Sequence, residues 1–415
     1  MRYENCAPMK KQPRRIRNRL PTLPSRDRIP ADDPSWDIRH YSADLRAVTR
    51  QRDRLTVTCC ASDSEGILKN LTIAISTLTL LGCLTRATLA QNTPPADAAR
   101  AAQLALEART PKLAVDEEIL PLRIPGHTIG ETEGVARNKA GHLFVYTRTG
   151  WAGSARNGNG AKLFEFDDQL KYVQEWLPDS YGASFAHAVR VDPEQNVWVI
   201  DEGSNTVVKV DPTGLVKMVL GRKPEAIDWA EEFIERGEKE TDRHPAGATG
   251  TFNRPTDVAW GPDGSVYVAD GYNNSRVVKI SKDGVWQKTF GTYGSGDGQM
   301  NVVHSIATGD GHVYVADRGN SRIQVFDYDL KFQKYITGIG QPWSIQVTPK
   351  YLYSGDGNGK IYRMDHDGKL LGWVQTGLGQ GQTGCIVHAL HAEGDNVLYR
   401  GSCTLWNVAK ITFKN

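Results

Sequence analysis

The sequence has few cysteines and, beyond its first 90 residues, no excess of positive charge. Six cysteines are spread over 415 residues, and only Cys385 and Cys403 lie after residue 90. Residues 91–415 hold 34 Lys and Arg against 39 Asp and Glu, so this part is mildly acidic and has no electrostatic basis for binding nucleic acid. The chain also lacks an apolar run long enough to span a bilayer comfortably. These absences exclude a nucleic-acid-binding protein and a protein with a membrane-spanning helix.

The first 90 residues differ in composition from the rest of the chain. Residues 1–65 are rich in Arg and Pro without strand or helix periodicity, and they are expected to be a disordered or mis-assigned leader. Residues 66–90 are expected to be a signal peptide, because the apolar run Leu71–Leu84 has the length of a signal-peptide core and Ala90 ends an acceptable cleavage site. Cys83 lies in a sequence similar to a bacterial lipobox, so a lipid anchor there is the alternative to simple cleavage. Either signal predicts a periplasmic or secreted protein.

Six copies of one sequence pattern occupy the rest of the chain. Each copy has an apolar strand, a Gly/Asp/Pro turn, a strand similar to V-x-V-x-D, a polar loop and a third strand, and one more strand follows. Four strands per unit and six units predict an all-β, six-bladed propeller over residues 112–415, after a linker at 91–111. The last copy ends after its third strand, and Leu113–Ile124 is expected to supply the fourth and close the ring. Residues 222–250 are an insertion with helical spacing after Pro224.

One position of the repeat holds histidine in alternate copies. At this register of the innermost strand the six copies carry, in order, Glu133, His187, Thr256, His304, Trp343 and His388. Alternate blades of a six-bladed ring lie about 120° apart around its axis, so the three histidines are expected to converge in the central channel. Three neutral imidazoles around an open fourth position are the ligand set of a catalytic zinc. The pattern therefore predicts a zinc site at His187, His304 and His388.

Two arginines and a tyrosine form a second set, in the loops after the V-x-V-x-D strands. Arg148 and Arg318 occupy equivalent positions in blades one and four, and Tyr272 lies one residue further along in blade three. These loops are expected at the channel mouth, beside the histidines. An Arg binds a carboxylate through two parallel hydrogen bonds, and a Tyr beside a metal and two guanidinium groups is expected to favour the phenolate and act as a base. The alternative is that all three are ordinary loop residues paired with Asp neighbours such as Asp317.

Two stretches of the repeat resemble the peptidyl-α-hydroxyglycine α-amidating lyases. They are RPTDVAWGPDGSVYVADGYNNSRVVKI at 254–280 and HSIATGDGHVYVADRGNSRIQVF at 304–326. The resemblance covers the whole propeller and implies NHL-type repeats with zinc held by the three histidines. It also implies catalysis by the Tyr of the D-G-Y motif, which is Tyr272, with two active-site arginines, which are Arg148 and Arg318. The resemblance and the repeat register thus indicate the same six residues.

The sequence departs from this family at positions that concern a second metal and a disulfide. The family has an Asp directly after its third zinc-binding His that helps to hold calcium, whereas this chain has Ala389. Calcium binding is therefore left open, with Glu133 near the channel axis as a candidate to replace the missing carboxylate. Cysteines are absent at the family's disulfide positions, but Cys385 and Cys403 face one end of the last blade and are expected to form a disulfide in an exported protein.

These observations favour an enzyme over two alternatives. We expect a zinc-dependent lyase that cleaves the carbon–nitrogen bond of an α-hydroxyglycine-type carbinolamide to an amide and glyoxylate. It is expected to act as a monomer on a small-molecule or peptidyl hydroxyglycine. One alternative is a non-catalytic NHL-type binding propeller, against which the retained His and Arg set argues. The other is a gluconolactonase-like metal hydrolase, whose ion is held mainly by oxygen ligands, whereas the ligands expected here are nitrogen.

Overall fold

The computed structural model describes residues 96–148, 160–178, 180, 182–222, 249–377 and 384–414. The predicted leader and signal peptide, including Cys83, lie outside the described residues, and so does the predicted helix of the insertion after Pro224. In the described part, one α-helix, α1 (Ala96–Ala108), precedes the β-strands. No helix in this part has the length and apolar character needed to cross a membrane.

Six four-stranded antiparallel sheets form the blades of a propeller and confirm the predicted fold class. Blade one contains β2 (Glu131–Arg137), β3 (Leu143–Arg148), β4 (Ala161–Phe166) and β5 (Tyr172–Trp176). Blade two contains β6 (Ala186–Val191), β7 (Val197–Asp201), β8 (Thr206–Val210) and β9 (Val216–Gly221). Blade three contains β10 (Asp257–Trp260), β11 (Val266–Asp270), β12 (Arg276–Ile280) and β13 (Trp286–Phe290).

The second half of the ring repeats this order. A short parallel pair, β14 (Thr292–Tyr293) and β15 (Gln299–Met300), precedes blade four. Blade four contains β16 (Val303–Gly309), β17 (His312–Asp317), β18 (Arg322–Phe326) and β19 (Phe332–Ile336). Blade five contains β20 (Pro342–Val347), β21 (Leu352–Asp356), β22 (Lys360–Met364) and β23 (Leu370–Gln375). Blade six contains β24 (Ala389–Glu393), β25 (Val397–Ser402), β26 (Asn407–Phe413) and β1 (Val115–Ile119).

The outer strand of blade six comes from the segment that precedes the repeats. β1 lies within the expected stretch Leu113–Ile124 and pairs antiparallel with β26, with Val115 opposite Phe413 and Ile119 opposite Ala409. Blade six thus takes one strand from the region before blade one and three from the last repeat.

The hydrophobic core is divided among the interfaces between neighbouring blades. Six buried clusters are found, one for each pair of adjacent blades, including the pair of blade six and blade one. A middle strand packs against a neighbouring blade on each of its two faces, so both faces are buried. In β11, for example, all five residues of VYVAD are buried. The outer strand β13 has three exposed residues in its middle. The blades are therefore held together mainly by their inner strands, which also carry the histidines.

The hairpins follow the predicted turn chemistry. Asp310 and Gly311, between β16 and β17, have φ values of 49° and 79°. Left-handed conformations at both central residues are those of a type I′ turn, which Asp-Gly accommodates. This turn joins the strand that carries His304 to the strand that ends beside Arg318.

The linker expected at 91–111 contains the helix α1, and this part of the prediction is corrected. Gln103 and Glu107 on α1 are buried, and Tyr362 of blade five donates a hydrogen bond to Glu107 Oε1 at 2.7 Å. Lys360 forms an ion pair with the other carboxylate oxygen of Glu107. The helix packs against blade five because its polar side chains contact polar residues there. A search of the sequence for apolar periodicity does not detect a contact of this kind.

Candidate active site

Three imidazoles meet in the central channel. His187 and His304 lie on β6 and β16, and His388 directly precedes β24, so all three belong to the innermost strands of alternate blades. Their ring centroids are 4.7, 4.9 and 5.0 Å apart. All three side chains are buried, and their ligand nitrogens lie within 4.8 Å of one another. The structure thus brings together the three histidines as the repeat register predicts.

Each imidazole is oriented by the next blade around the ring. His187 Nδ1 is 2.6 Å from the carbonyl oxygen of Thr256, and His304 Nδ1 is 2.7 Å from that of Trp343. His388 Nδ1 is 2.8 Å from the carbonyl oxygen of Glu133. A carbonyl oxygen only accepts, so Nδ1 donates in each case and the neutral ring keeps its lone pair on Nε2. This arrangement orients metal-binding histidines in many proteins.

The protein favours the neutral form of two of these rings. Burial lowers the pKa of His187 well below its ordinary value, and the positive charge of Arg148 adds to the effect. Burial also lowers the pKa of His304, with a further contribution from Arg318. Neutral imidazole is the form that binds a metal ion, so these rings need not lose a proton to do so near neutral pH.

Tyr272 lies beside the triad, between two arginines. Its hydroxyl is 3.1 Å from His304 Nε2. The guanidinium carbons of Arg254 and Arg318 lie 4.5 and 5.4 Å from the centroid of its ring. Arg318 also lies 4.3 Å from the ring centroid of Trp343. Contacts of this kind hold a planar guanidinium over an aromatic face while its N–H groups remain able to donate.

The protein without a metal ion does not favour the phenolate of Tyr272. Burial raises the pKa of Tyr272 above its ordinary value, although Arg318, Arg254 and Arg148 act in the opposite direction. The nearby carboxylate of Glu202 raises the pKa further. The expected phenolate, beside a metal ion and the guanidinium groups, stays a prediction.

The two predicted arginines have different surroundings. Arg148 Nη1 lies 3.1 Å from Glu133 and 3.7 Å from Glu131, and its Nη2 lies 3.5 Å from Glu202. Asp317, the acidic neighbour considered for Arg318, instead forms an ion pair with Arg322 at 2.7 Å. Among the described residues, no carboxylate lies within ion-pair distance of Arg318. Arg318 is therefore better placed than Arg148 to receive an external carboxylate.

Sequence reasoning missed Glu202 and Arg254. Glu202 is buried, pairs with both Arg148 and Arg254, and has one carboxylate oxygen 4.0 Å from His187 Nε2. It directly follows β7, at the loop register that holds Arg148 and Arg318, so the same register could have identified it. Arg254 adopts a φ of 61°, and Val302 at the equivalent position of blade four has a φ of 54°, so this conformation is a feature of the repeat. That conformation has no signal in the sequence.

A buried guanidinium joins the innermost strands further along the channel. Arg190 on β6 donates from Nε and Nη2 to the two carboxylate oxygens of Asp257, at 2.8 and 2.6 Å. Its Nη1 donates to the carbonyl oxygen of Leu390 at 2.7 Å. Arg190 therefore ties blade two to blades three and six, next to Ala389, where the family resemblance implied a calcium-binding Asp.

The two cysteines of the last blade face each other beside the active site. Cys385 and Cys403 have Cα atoms 5.6 Å apart, a separation that a disulfide bridges. Their sulfurs and a carboxylate oxygen of Glu133 lie within 4.8 Å of one another. A disulfide between them would join the loop before β24 to the loop after β25.

The chain is similar to known NHL-repeat proteins, among them a protein named as an amidating lyase. The NHL repeat family matches residues 252–280 and 301–326, in blades three and four. A probable peptidyl-α-hydroxyglycine α-amidating lyase of Caenorhabditis elegans is 29% identical over 269 residues, covering 59% of this chain and 71% of that protein. NHL repeat-containing protein 3 of Homo sapiens is 31% identical over 214 residues, covering 48% of this chain and 56% of that protein. The chain thus carries NHL repeats and is similar to proteins named as amidating lyases.

The match to a longer relative is limited to one part of that protein. The peptidylglycine α-amidating monooxygenase of Rattus norvegicus is 33% identical over 194 residues, which are 44% of this chain and 18% of that protein. This chain is therefore similar to only a small part of that relative.

Proposed function

We propose that the chain is a zinc-dependent lyase that cleaves an α-hydroxyglycine-type carbinolamide to an amide and glyoxylate. The convergence of three buried imidazoles, each with Nδ1 committed to a carbonyl oxygen, carries this proposal. Three nitrogen donors fit a catalytic zinc site, which keeps a position open for substrate. The similarity to proteins named as amidating lyases supports the reaction class.

The residues around the triad have separate roles in this proposal. Zinc held by the histidines would supply Lewis acidity at the oxygen atoms of the substrate and positive charge beside Tyr272. Arg318 binds the substrate carboxylate, because its guanidinium faces Tyr272 and Trp343 with no carboxylate of the described structure within ion-pair distance. Arg148 is a positioning residue, since Glu133 and Glu202 already hold its guanidinium.

Tyr272 is the proposed base. Its phenolate oxygen takes the proton of the substrate hydroxyl, and the electrons of that O–H bond form the carbonyl of glyoxylate. The carbon–nitrogen bond breaks at the same carbon, and its electron pair leaves with the nitrogen, which takes up the proton that Tyr272 removed and so gives the amide and restores the phenolate. The raised pKa of Tyr272 in the protein alone means that the phenolate depends on added positive charge at the triad.

Glyoxylate release from α-hydroxyhippurate tests this function. Zinc-loaded protein is expected to release glyoxylate, and protein treated with chelator is expected to release none above the uncatalysed rate until zinc is restored. His304→Ala should lose both zinc and activity, whereas His312→Ala, on the same blade but at the hairpin turn, should keep both. Zinc-loaded protein that releases no glyoxylate would favour the binding-propeller alternative, and lactone hydrolysis in its place would favour the gluconolactonase-like one.

Export, a monomeric state and the absence of nucleic-acid partners are parts of the same proposal. The Cys385–Cys403 pair supports export, because disulfides persist in oxidising compartments. The charge balance beyond residue 90 supports a substrate that is not a nucleic acid. Subcellular fractionation of the producing cell and light scattering of the purified protein test the first two points.

A further inference from the structure

A buried carboxylate lies beside the three histidines. Glu133 occupies, in blade one, the register that His187, His304 and His388 occupy in blades two, four and six. Its side chain is 0% exposed, and its Oε2 lies 2.9 Å from His388 Nε2. We propose that Glu133 is a fourth protein ligand of the metal ion held by the triad, in a five-coordinate site whose fifth position stays open for substrate. This inference rests on the metal-binding part of the proposed function.

The contact between Glu133 and His388 is one that a metal ion can bridge. His388 Nδ1 already donates to the backbone oxygen of Glu133, so Nε2 is the ring nitrogen that faces the carboxylate. A metal ion between Glu133 Oε2 and His388 Nε2 takes both atoms as ligands and competes with a proton for that position. Both carboxylate oxygens of Glu133 are buried, and their contacts are ionic, Oε1 with Arg148 and Oε2 with His388. A buried carboxylate requires compensating positive charge, and a cation at the triad adds to it.

The distance itself suits two ligands of one ion. In a five-coordinate zinc site, neighbouring ligands that lie about 2.0–2.2 Å from the ion at an angle of about 90° are roughly 3 Å apart, whereas tetrahedral ligands are about 3.4 Å apart. The separation of 2.9 Å between Glu133 Oε2 and His388 Nε2 agrees with this spacing. The other oxygen, Oε1, lies 3.1 Å from Arg148 Nη1, so the guanidinium orients the carboxylate from the side away from the histidine. A partner of this kind is what orients ligating carboxylates in metal sites.

The other positions of this register do not offer a comparable ligand. Thr256 already directs its hydroxyl to the carbonyl oxygens of Ala269 and Val303, at 3.1 and 2.8 Å. Trp343 offers no acceptor atom on its side chain. Glu202 comes close to the triad from the channel mouth, but its nearest approach to a histidine nitrogen is 4.0 Å. Glu133 is thus the carboxylate that the ring places at ligand spacing.

A carboxylate ligand changes what the site can bind. It neutralises one of the two positive charges of a divalent ion, so the centre attracts an anionic substrate less strongly than three neutral imidazoles would allow. Recognition of the substrate carboxylate then depends more on Arg318. A site of three imidazoles and one carboxylate also suits several first-row metals besides zinc.

The test measures metal binding directly, without activity. Full-length protein is stripped of metal, and its zinc affinity is measured by competition with a chromophoric chelator, alongside the visible spectrum of the Co²⁺-loaded protein. Glu133→Gln is expected to weaken zinc binding by about 10- to 100-fold and to change the Co²⁺ spectrum. The control Glu131→Gln also removes a carboxylate that pairs with Arg148 and should weaken zinc binding by less than about fivefold.

The outcomes separate this inference from the proposed function. If the wild-type protein binds no zinc, the proposed function fails. If it binds zinc and Glu133→Gln has the same affinity and Co²⁺ spectrum as the wild type, only the fourth ligand is overturned. If Glu133→Gln does not fold, anomalous diffraction from zinc-loaded wild-type crystals decides. A Glu133 oxygen at about 2.0–2.2 Å from zinc supports the inference, and one beyond about 3 Å overturns it.

Discussion

Replacing Arg190 by Met is expected to destabilise the propeller strongly. The side chain is buried and binds Asp257 through two hydrogen bonds and Leu390 through a third. Breaking a buried ion pair costs about 3–5 kcal/mol, mostly because the remaining charge is left uncompensated. Asp257 keeps donors in Ser305 Oγ and the backbone of Ile306, at 2.6 and 3.3 Å, so we expect the lower end of this range.

This loss converts into a measurable shift of the melting temperature. An unfolding entropy of roughly 2.1 cal/mol/K per residue gives about 0.6 kcal/mol/K for a propeller of about 300 residues, so a loss of about 3 kcal/mol lowers Tm by about 5 °C. The assay is scanning calorimetry, which gives the Tm of Arg190→Met and of a control variant, Lys334→Ala. The control removes an exposed ion pair between two blades, with an N–O distance of 2.8 Å. The exposed pair is worth about 0–1 kcal/mol, so the control should shift Tm by less than about 2 °C.

Two results would refute this reasoning about Arg190. The first is a Tm for Arg190→Met no lower than that of Lys334→Ala. The second concerns the double variant Arg190→Met with Asp257→Asn, which removes the orphaned charge. It should be more stable than Arg190→Met alone, because uncompensated charge accounts for most of the cost. A further loss instead would show that Asp257 contributes independently of the guanidinium.

Three further predictions concern the proposed reaction, the disulfide and the pH dependence of stability. Tyr272→Phe should lower kcat far more than it changes KM for α-hydroxyhippurate, whereas Arg318→Ala should mainly raise KM; a reversal of this split in steady-state kinetics would exchange the two roles. Thiol titration of the unreduced, exported protein should find Cys385 and Cys403 unreactive, and two reactive thiols would exclude the disulfide. Burial raises the pKa of Asp356 to about 6, so the folded protein holds this proton more tightly than the unfolded chain, and that contribution to stability is lost as pH rises from about 4 to 6. Asp356→Asn should therefore raise Tm more at pH 7 than at pH 4, and an equal change at both values would contradict this.

The sequence predicted the parts of the site that depend on the repeat. Because each blade is one copy of the pattern, the register alone placed His187, His304 and His388 around one axis. It also placed Arg148 and Arg318 at the same mouth. What the register could not supply is the pairing of side chains from different blades. The difference between the two arginines arises from such pairing, because carboxylates of blades one and two surround Arg148.

The remaining differences from prediction have similar physical causes. The helix α1 was missed because it packs through Gln103 and Glu107 on the polar surface of blade five, so it lacks a broad apolar face. The pKa of Tyr272 without a metal ion could not be predicted from the sequence, because burial, which is a property of the folded ring, outweighs the nearby guanidinium groups. Both effects depend on contacts between residues far apart in the chain.

The pairing of β1 with β26 has a consequence for how the protein folds during synthesis. Val115 and its partner Phe413 are separated by about 300 residues, so β1 leaves the ribosome long before its partner strand exists. At about 5–20 residues per second, β1 waits roughly 15–60 s with an unpaired edge. An unpaired edge of this kind invites pairing with other chains. The nascent chain is therefore most exposed to misassembly before blade six is complete. Its dependence on chaperones should be greatest until β26 has emerged.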